Sequence, residues 1–268
     1  MINPVNTFRR AEMIFRRDET LGSIMPSLAD IHGGRRLVEE ADGGLRITYR
    51  QAAKRVNRWA GGIAARIDEP GDRVLVATPN SYEMFLLCLA ASRGGAIPVP
   101  VNEQMRPDEI EHVMRDSGAK LIIRSANDVD GGEPIGKPVA AQPGDVAALF
   151  YTSGTTGKPK GAALTHQALV GQVVAGVAWP SVLRRDEAVF ALPVAHIMGF
   201  AVLMGMACAG IPAYLLPKFR PDAVLDAIES RRATMFIGVP AMYRMLLEAG
   251  ADDRDLRSVR IWLSLIHI

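Results

Sequence analysis

A chain of 268 residues that is 49% hydrophobic and 22% charged has enough apolar side chain for one large core or two average ones, which excludes wholesale disorder. Thirty-one basic against 29 acidic side chains leave a formal net charge of +2, so there is no electrostatic footprint for DNA or RNA. Cys88 and Cys208 stand alone in apolar stretches without metal-ligand spacing. They read as buried free thiols and favour a reducing, cytoplasmic setting.

The first twenty residues, "MINPVNTFRRAEMIFRRDET", lack an apolar core of signal-peptide length. From Arg73 the chain alternates strand and helix signals. "RVLVAT" (Arg73 to Thr78) is a short apolar run, and Asn80 and Ser81 stand where they can cap a helix with Met84, Phe85, Leu87, Cys88 and Ala91 on its apolar face. Gly94 and Gly95 end it, and "AIPVPV" begins the next extended piece. Pro107 suits the first turn of another helix and Gly118 its stop, after which "KLIIR" reads as a strand.

Ser125 to Gly144, "SANDVDGGEPIGKPVAAQPG", is rich in Gly, Pro and polar residues and predicts a linker over 125–143. The units on either side are then 1–124 and 144–262. "DVAALFYT" predicts a buried strand and "THQALVGQVVAGV" a helix capped by Thr165.

Ala188 to Pro217 contains no Asp, Glu, Lys or Arg. A spanning helix needs ~20 continuous apolar residues. Here Pro193, His196, Gly210 and Pro212 leave about a dozen helix-compatible positions, so a buried helix and a buried strand, "AYLLP", are predicted rather than a transmembrane segment. Pro221 opens a helix carrying Val224, Leu225 and Ile228, "ATMFIGVP" reads as a strand, and Ala241 to Glu248 as a helix. Such alternation predicts an α/β protein with a largely parallel sheet.

The segment Thr152 to Lys160, "TSGTTGKPK", packs four hydroxyls, two glycines and two lysines into nine residues. At a strand's end, glycines let the backbone approach a ligand, while hydroxyls, N–H groups and lysines supply donors and charge; together these suit a polyphosphate. A polar β-turn with lysines for solubility is the competing reading on composition alone. The P-loop pattern fails twice, because Gly157-Lys158 has Thr152 where Gly is required and Pro159 where Ser or Thr is required. No GxGxxG follows a strand.

The full stretch "YTSGTTGKPKG" resembles the phosphate-binding signature of the adenylate-forming superfamily, which includes acyl-CoA synthetases, luciferases and peptide-synthetase adenylation domains. "ITYRQAAKRVNRWAGGI", "DRVLVATPNSYEMFLLCLAASRGGAIPVPVN", "DEIEHVMRDSGAKLII", "LPVAHIMGF" and "ATMFIGVPAMYRMLL" resemble that family's segments in the same order, over roughly Arg46 to Trp262. The resemblance implies part of the family's large N-terminal α/β domain, with mostly parallel sheets and flanking helices. It also implies ATP, Mg²⁺ and coenzyme A as cofactors and a small carboxylic acid, of fatty type, as substrate; the oligomeric state stays undetermined.

By that resemblance Thr152, Ser153, Gly154, Thr155, Thr156, Gly157 and Lys158 hold the β- and γ-phosphates. Lys160 adds charge or braces the loop, and Thr152 shares Mg²⁺ with a later acidic residue. His196 and Phe200 line the acyl pocket, although a lone His beside an apolar helix also reads as a satisfied core residue. Met198, Met204 and Met206 suit core packing or an acyl tunnel.

The family's downstream Tyr-Gly-x-Thr-Glu segment, its ribose-binding Asp and the mobile C-terminal domain with its catalytic Lys have no match here, so no catalytic residue is assigned and a turnover-deficient fragment is expected. "LSLIHI" (263–268) departs from the family pattern and matches one reading frame of a sequencing adapter, so a non-native tail is expected there. A peptide-synthetase adenylation module and a non-catalytic nucleotide-binding remnant are the rival readings.

Overall fold

The computed structural model describes residues 18–102, 104–152, 158–171 and 186–264. Its first helix, α1 (Ile24–His32), leads to strands β1 (Arg36–Glu40) and β2 (Arg46–Thr48) and then to helix α2 (Tyr49–Ala64). Thr48 starts α2 with a capping box: its hydroxyl accepts the Gln51 N–H, and the Gln51 side chain accepts the Thr48 N–H at 2.9 Å. Tyr49, Ala52, Ala53, Val56, Trp59, Ala60 and Ile63 recur at three- and four-residue steps, so one face of α2 is buried.

Strand β3 (Arg73–Val76), helix α3 (Tyr82–Arg93), strand β4 (Ile97–Pro100), helix α4 (Pro107–Ser117) and strand β5 (Leu121–Ile123) follow as predicted. They form a parallel three-stranded sheet ordered β4-β3-β5. Strands β6 (Val146–Thr152) and β7 (Lys160–Thr165) form an antiparallel pair. Beyond them come β8 (Ala188–Phe190), α5 (Ile197–Ala209), β9 (Ala213–Leu215), α6 (Pro221–Arg231), β10 (Met235–Gly238), α7 (Pro240–Glu248) and β11 (Ile261–Ser264).

The largest sheet has six strands in the order β11-β10-β8-β9-β1-β2, all parallel except the β1–β2 pair. The α/β class with mostly parallel sheet is therefore observed. β1 crosses the predicted division, since Val38 pairs with Ala213 and Glu40 with Leu215. One apolar cluster likewise runs from Leu21 through Phe85 and Phe150 to Ile237.

The predicted linker is held along its length. A Cβ on Gly62 would lie 1.8 Å from the Val129 carbonyl oxygen, so α2 has room for this segment only because that position lacks a side chain. Ile135 donates its N–H to Asn57 at 3.0 Å, and Val139 to Arg93 at 3.0 Å. The buried Arg93 guanidinium reaches the carbonyls of Gly22, Ile135 and Gly136. Strand β11 runs past the boundary predicted at 262, pairing Leu263 with Ile237 and Ser264 with Gly238; residues 265–268 lie outside the described ones. Among the described residues no helix is long and apolar enough to cross a membrane.

Candidate functional site

The hydroxyl-rich segment joins the two strands of the β6–β7 hairpin. Phe150 faces Ala162, Tyr151 faces Gly161, and the ladder closes on the Thr152–Lys160 pair. Sequence patterning predicts a strand, a loop and then a helix; strand β7 intervenes. "KGAALT" carries Gly and two Ala, which are weak strand formers, so pairing with β6 rather than intrinsic preference makes it a strand. Thr165 does act as a cap at the end of β7: its Oγ1 accepts the Ala168 N–H at 3.1 Å. A wide π-type turn covers Gln167–Gly171, and the rest of the predicted helix, 172–185, lies outside the described residues. So do five of the predicted phosphate ligands: Ser153, Gly154, Thr155, Thr156 and Gly157.

Tyr151, Thr152 and Pro159 form one wall of a cleft of about 380 Å³. Asn102, Met105 and Glu109 face it from the β4–α4 side, and Pro193, Ala195 and His196 come from the segment that enters α5. The cleft therefore brings Thr152 and His196 together. Lys158 and Lys160 are exposed and outside its lining. His196 occupies the N-cap of α5, where its Nδ1 accepts the Met198 N–H at 3.2 Å; the proton of the neutral ring is then on Nε2. A second cleft of about 410 Å³ shares Asn102, Pro193 and Ala195 and continues past Asn80 to Lys218 and Met242.

Phe200 is not in either cleft. It is fully buried, its ring 4.9 Å from that of Phe85 and 5.4 Å from that of Phe150. Four residues after His196 on α5, it points into the core, away from both clefts. Met204 and Met206 are buried there too, whereas Met198 is exposed.

Helix α4 holds the hairpin from one side. The Tyr151 hydroxyl donates to Asp116 Oδ2 at 2.7 Å, and His112 Nε2 donates to the Pro159 carbonyl at 3.0 Å. Burial, and then the Asp116 carboxylate, push the Tyr151 phenol above its ordinary pKa, so it stays a donor. Nothing in the sequence singles out Asp116 or His112 except their four-residue spacing on one helix face.

The residues present fit a polyphosphate: an exposed threonine closes the ladder opposite the exposed Lys160, and the exposed Lys158 stands two residues before that strand. Among the described residues no cluster of three His, Cys, Asp or Glu could hold a metal ion.

A family model described as AMP-binding enzyme matches residues 29–136 and 125–265. Feruloyl-CoA synthase of an Amycolatopsis species is 34% identical over 247 residues, covering 81% of this chain and 49% of the relative. The chain thus spans about half the length of the curated relatives it matches. Among solved structures, the inhibitor-bound N-terminal domain of FACL13 from Mycobacterium tuberculosis superposes with a TM-score of 0.81 at 25% identity, over 92% of this chain and 69% of that one. ATP-bound MatB from Rhodopseudomonas palustris gives 0.76 at 27% identity, over 92% and 55%.

Proposed function

The chain belongs to the AMP-binding enzyme family, and on that premise we propose that it provides the nucleotide and acid sites of an ATP-dependent acid–thiol ligase. The carboxylate of the acid attacks the α-phosphorus of ATP, pyrophosphate leaves, and an acyl-adenylate forms. The sulfur of a thiol such as coenzyme A then attacks the acyl carbon, and AMP leaves. Positioning and charge neutralisation carry most of such a transfer.

In this reading residues 152–158 take the β- and γ-phosphates, Lys160 supports the loop with its charge, and the Thr152 hydroxyl is one ligand of Mg²⁺. The ion neutralises phosphate charge when bound. His196 borders the acid's site. The observation that carries the reading is the position of Thr152: it ends the β6 ladder on the wall of the same cleft as His196.

A hydrophobic acid suits the lining that Val101, Met105, Pro193 and Ala195 contribute, and the Amycolatopsis relative is named for an aromatic acyl group. Two buried free thiols, Cys88 and Cys208, support a reducing, cytoplasmic setting.

Titration of the chain with MgATP tests the proposal. Saturable binding is expected, weakened at least tenfold when Thr152→Ala and Lys158→Ala are combined, since two charge-assisted or hydroxyl contacts are lost. Equal affinity in the double variant, or no binding by the parent, would overturn the reading.

A further inference from the structure

Resting on the reading that the hairpin connection takes the triphosphate, we propose that α4 positions the described residues on either side of it, Thr152 and Lys158: Asp116 acting through Tyr151, and His112 acting through the Pro159 carbonyl, fix the two legs of the hairpin relative to each other.

Both latches come from one helix face, four residues apart, and they fall on opposite legs. Tyr151 immediately precedes Thr152, and Pro159 immediately follows Lys158. Movement of either leg away from α4 breaks one of the two hydrogen bonds. Of the two legs β7 has the greater need of this support: β6 buries Ala147, Ala148 and Phe150 in the core, whereas β7 pairs only with β6 among the described residues and is mostly exposed. A two-stranded ribbon of this kind is marginal without outside contacts.

Gly161 is the third part of the device. It lies directly opposite Tyr151 in the ladder, and a Cβ there would come 2.8 Å from the ring's Cζ and 3.0 Å from its hydroxyl oxygen. The phenol reaches Asp116 across a position kept empty by the absence of a side chain. The glycine that closes "YTSGTTGKPKG" thereby gains a role that a phosphate contact does not supply. Burial and Asp116 raise the Tyr151 pKa, which keeps its proton on the phenol for this bond at neutral pH.

The test is MgATP titration of the intact chain with melting temperatures recorded in parallel. Asp116→Ala, Tyr151→Phe and His112→Ala are each expected to weaken binding about fivefold, the worth of one ordinary hydrogen bond, with little change in melting temperature. Asp116→Ala combined with Tyr151→Phe should weaken it no more than either alone, because both remove the same bond. Asp116→Asn keeps an acceptor for the phenol and His112→Gln keeps a donor for the carbonyl, so both should restore affinity to within about twofold of the parent. Gly161→Ala should weaken binding at least as much as Asp116→Ala.

Parent-like affinity in the alanine variants, while Thr152→Ala with Lys158→Ala loses binding, would overturn the positioning role and leave the phosphate site standing. Failure of Asn and Gln to restore affinity would reduce α4 to ordinary packing. Parent-like affinity after Thr152→Ala with Lys158→Ala, or no binding by the parent, would overturn the phosphate site itself and the positioning role with it.

Discussion

Asn80 accepts the Val194 N–H on its Oδ1 at 2.7 Å. Its Nδ2 donates in the other direction, to the carbonyls of Leu192 at 3.3 Å and Pro217 at 2.9 Å. One side chain after β3 thus fixes the segment that brings Pro193, Ala195 and His196 to the cleft. The helix-capping duty that the sequence offers Asn80 falls to its neighbour Ser81 alone, whose Oγ accepts the Met84 N–H. Val194 is fully buried, so its N–H has no ready substitute partner. Asn80→Ala should lower the unfolding free energy by about 1–3 kcal/mol, read from urea denaturation. Asn80→Asp should do no better, since a carboxylate facing two carbonyl oxygens offers no donor. A loss below about 0.5 kcal/mol in both variants would show that the three bonds matter little.

Local pattern made the fold legible where an element's own residues decide its state. The α3, α4, α6 and α7 helices and the β3, β5 and β10 strands carry their caps, prolines and apolar spacing within the segment. β1 does not: "RLVEE" has a charged end and becomes a sheet strand because Val38 meets Ala213, far along the chain. β7 is an alanine- and glycine-bearing strand made by β6. The 125–143 segment shows the converse limit. Its glycines and prolines announce turns correctly, but composition is silent on whether Gly62, Asn57 and Arg93 are placed to receive them. For the site, the family resemblance marked Thr152, within the motif that Tyr151 opens, and His196, within "LPVAHIMGF", while Asn102 and Glu109 join the cleft through topology alone.

His166 follows β7 and is buried, with its Nδ1 accepting the Leu21 N–H at 3.0 Å. Desolvation lowers its pKa below the ordinary 6.5, and the Asp145 charge offsets only part of that. The unfolded chain therefore binds a proton near pH 6.5 that the folded chain refuses until lower pH. The contribution of His166 to stability is intact above about pH 6.5 and is lost as pH falls toward the folded-state value, with a slope of at most about 1.4 kcal/mol per pH unit. His166→Asn keeps an acceptor for Leu21 and removes the titration. Its unfolding free energy should change less between pH 7 and pH 5 than the parent's; parallel curves would show that His166 does not set the acid limb.

Phe200 and His196 lie on successive turns of the same apolar stretch, and the structure separates their duties. Phe200 is sealed between Phe85 and Phe150, so Phe200→Ala leaves a cavity that neighbouring rings cannot fill without losing their own contacts. About 3–5 kcal/mol of stability should be lost. His196 is exposed in the cleft and contributes one N-cap bond, so His196→Ala should cost no more than about 1–2 kcal/mol while altering the cleft surface. On the proposed reading, the pair is measured by denaturation together with binding of a hydrophobic carboxylic acid, with ferulate as the probe, to the folded chain. Phe200→Ala should shift the denaturation midpoint and leave the affinity of the folded fraction near the parent's, and His196→Ala should do the reverse. If instead Phe200→Ala spared stability and abolished ferulate binding, the side chain would be a pocket wall after all, and the packing that places it in the core would be wrong.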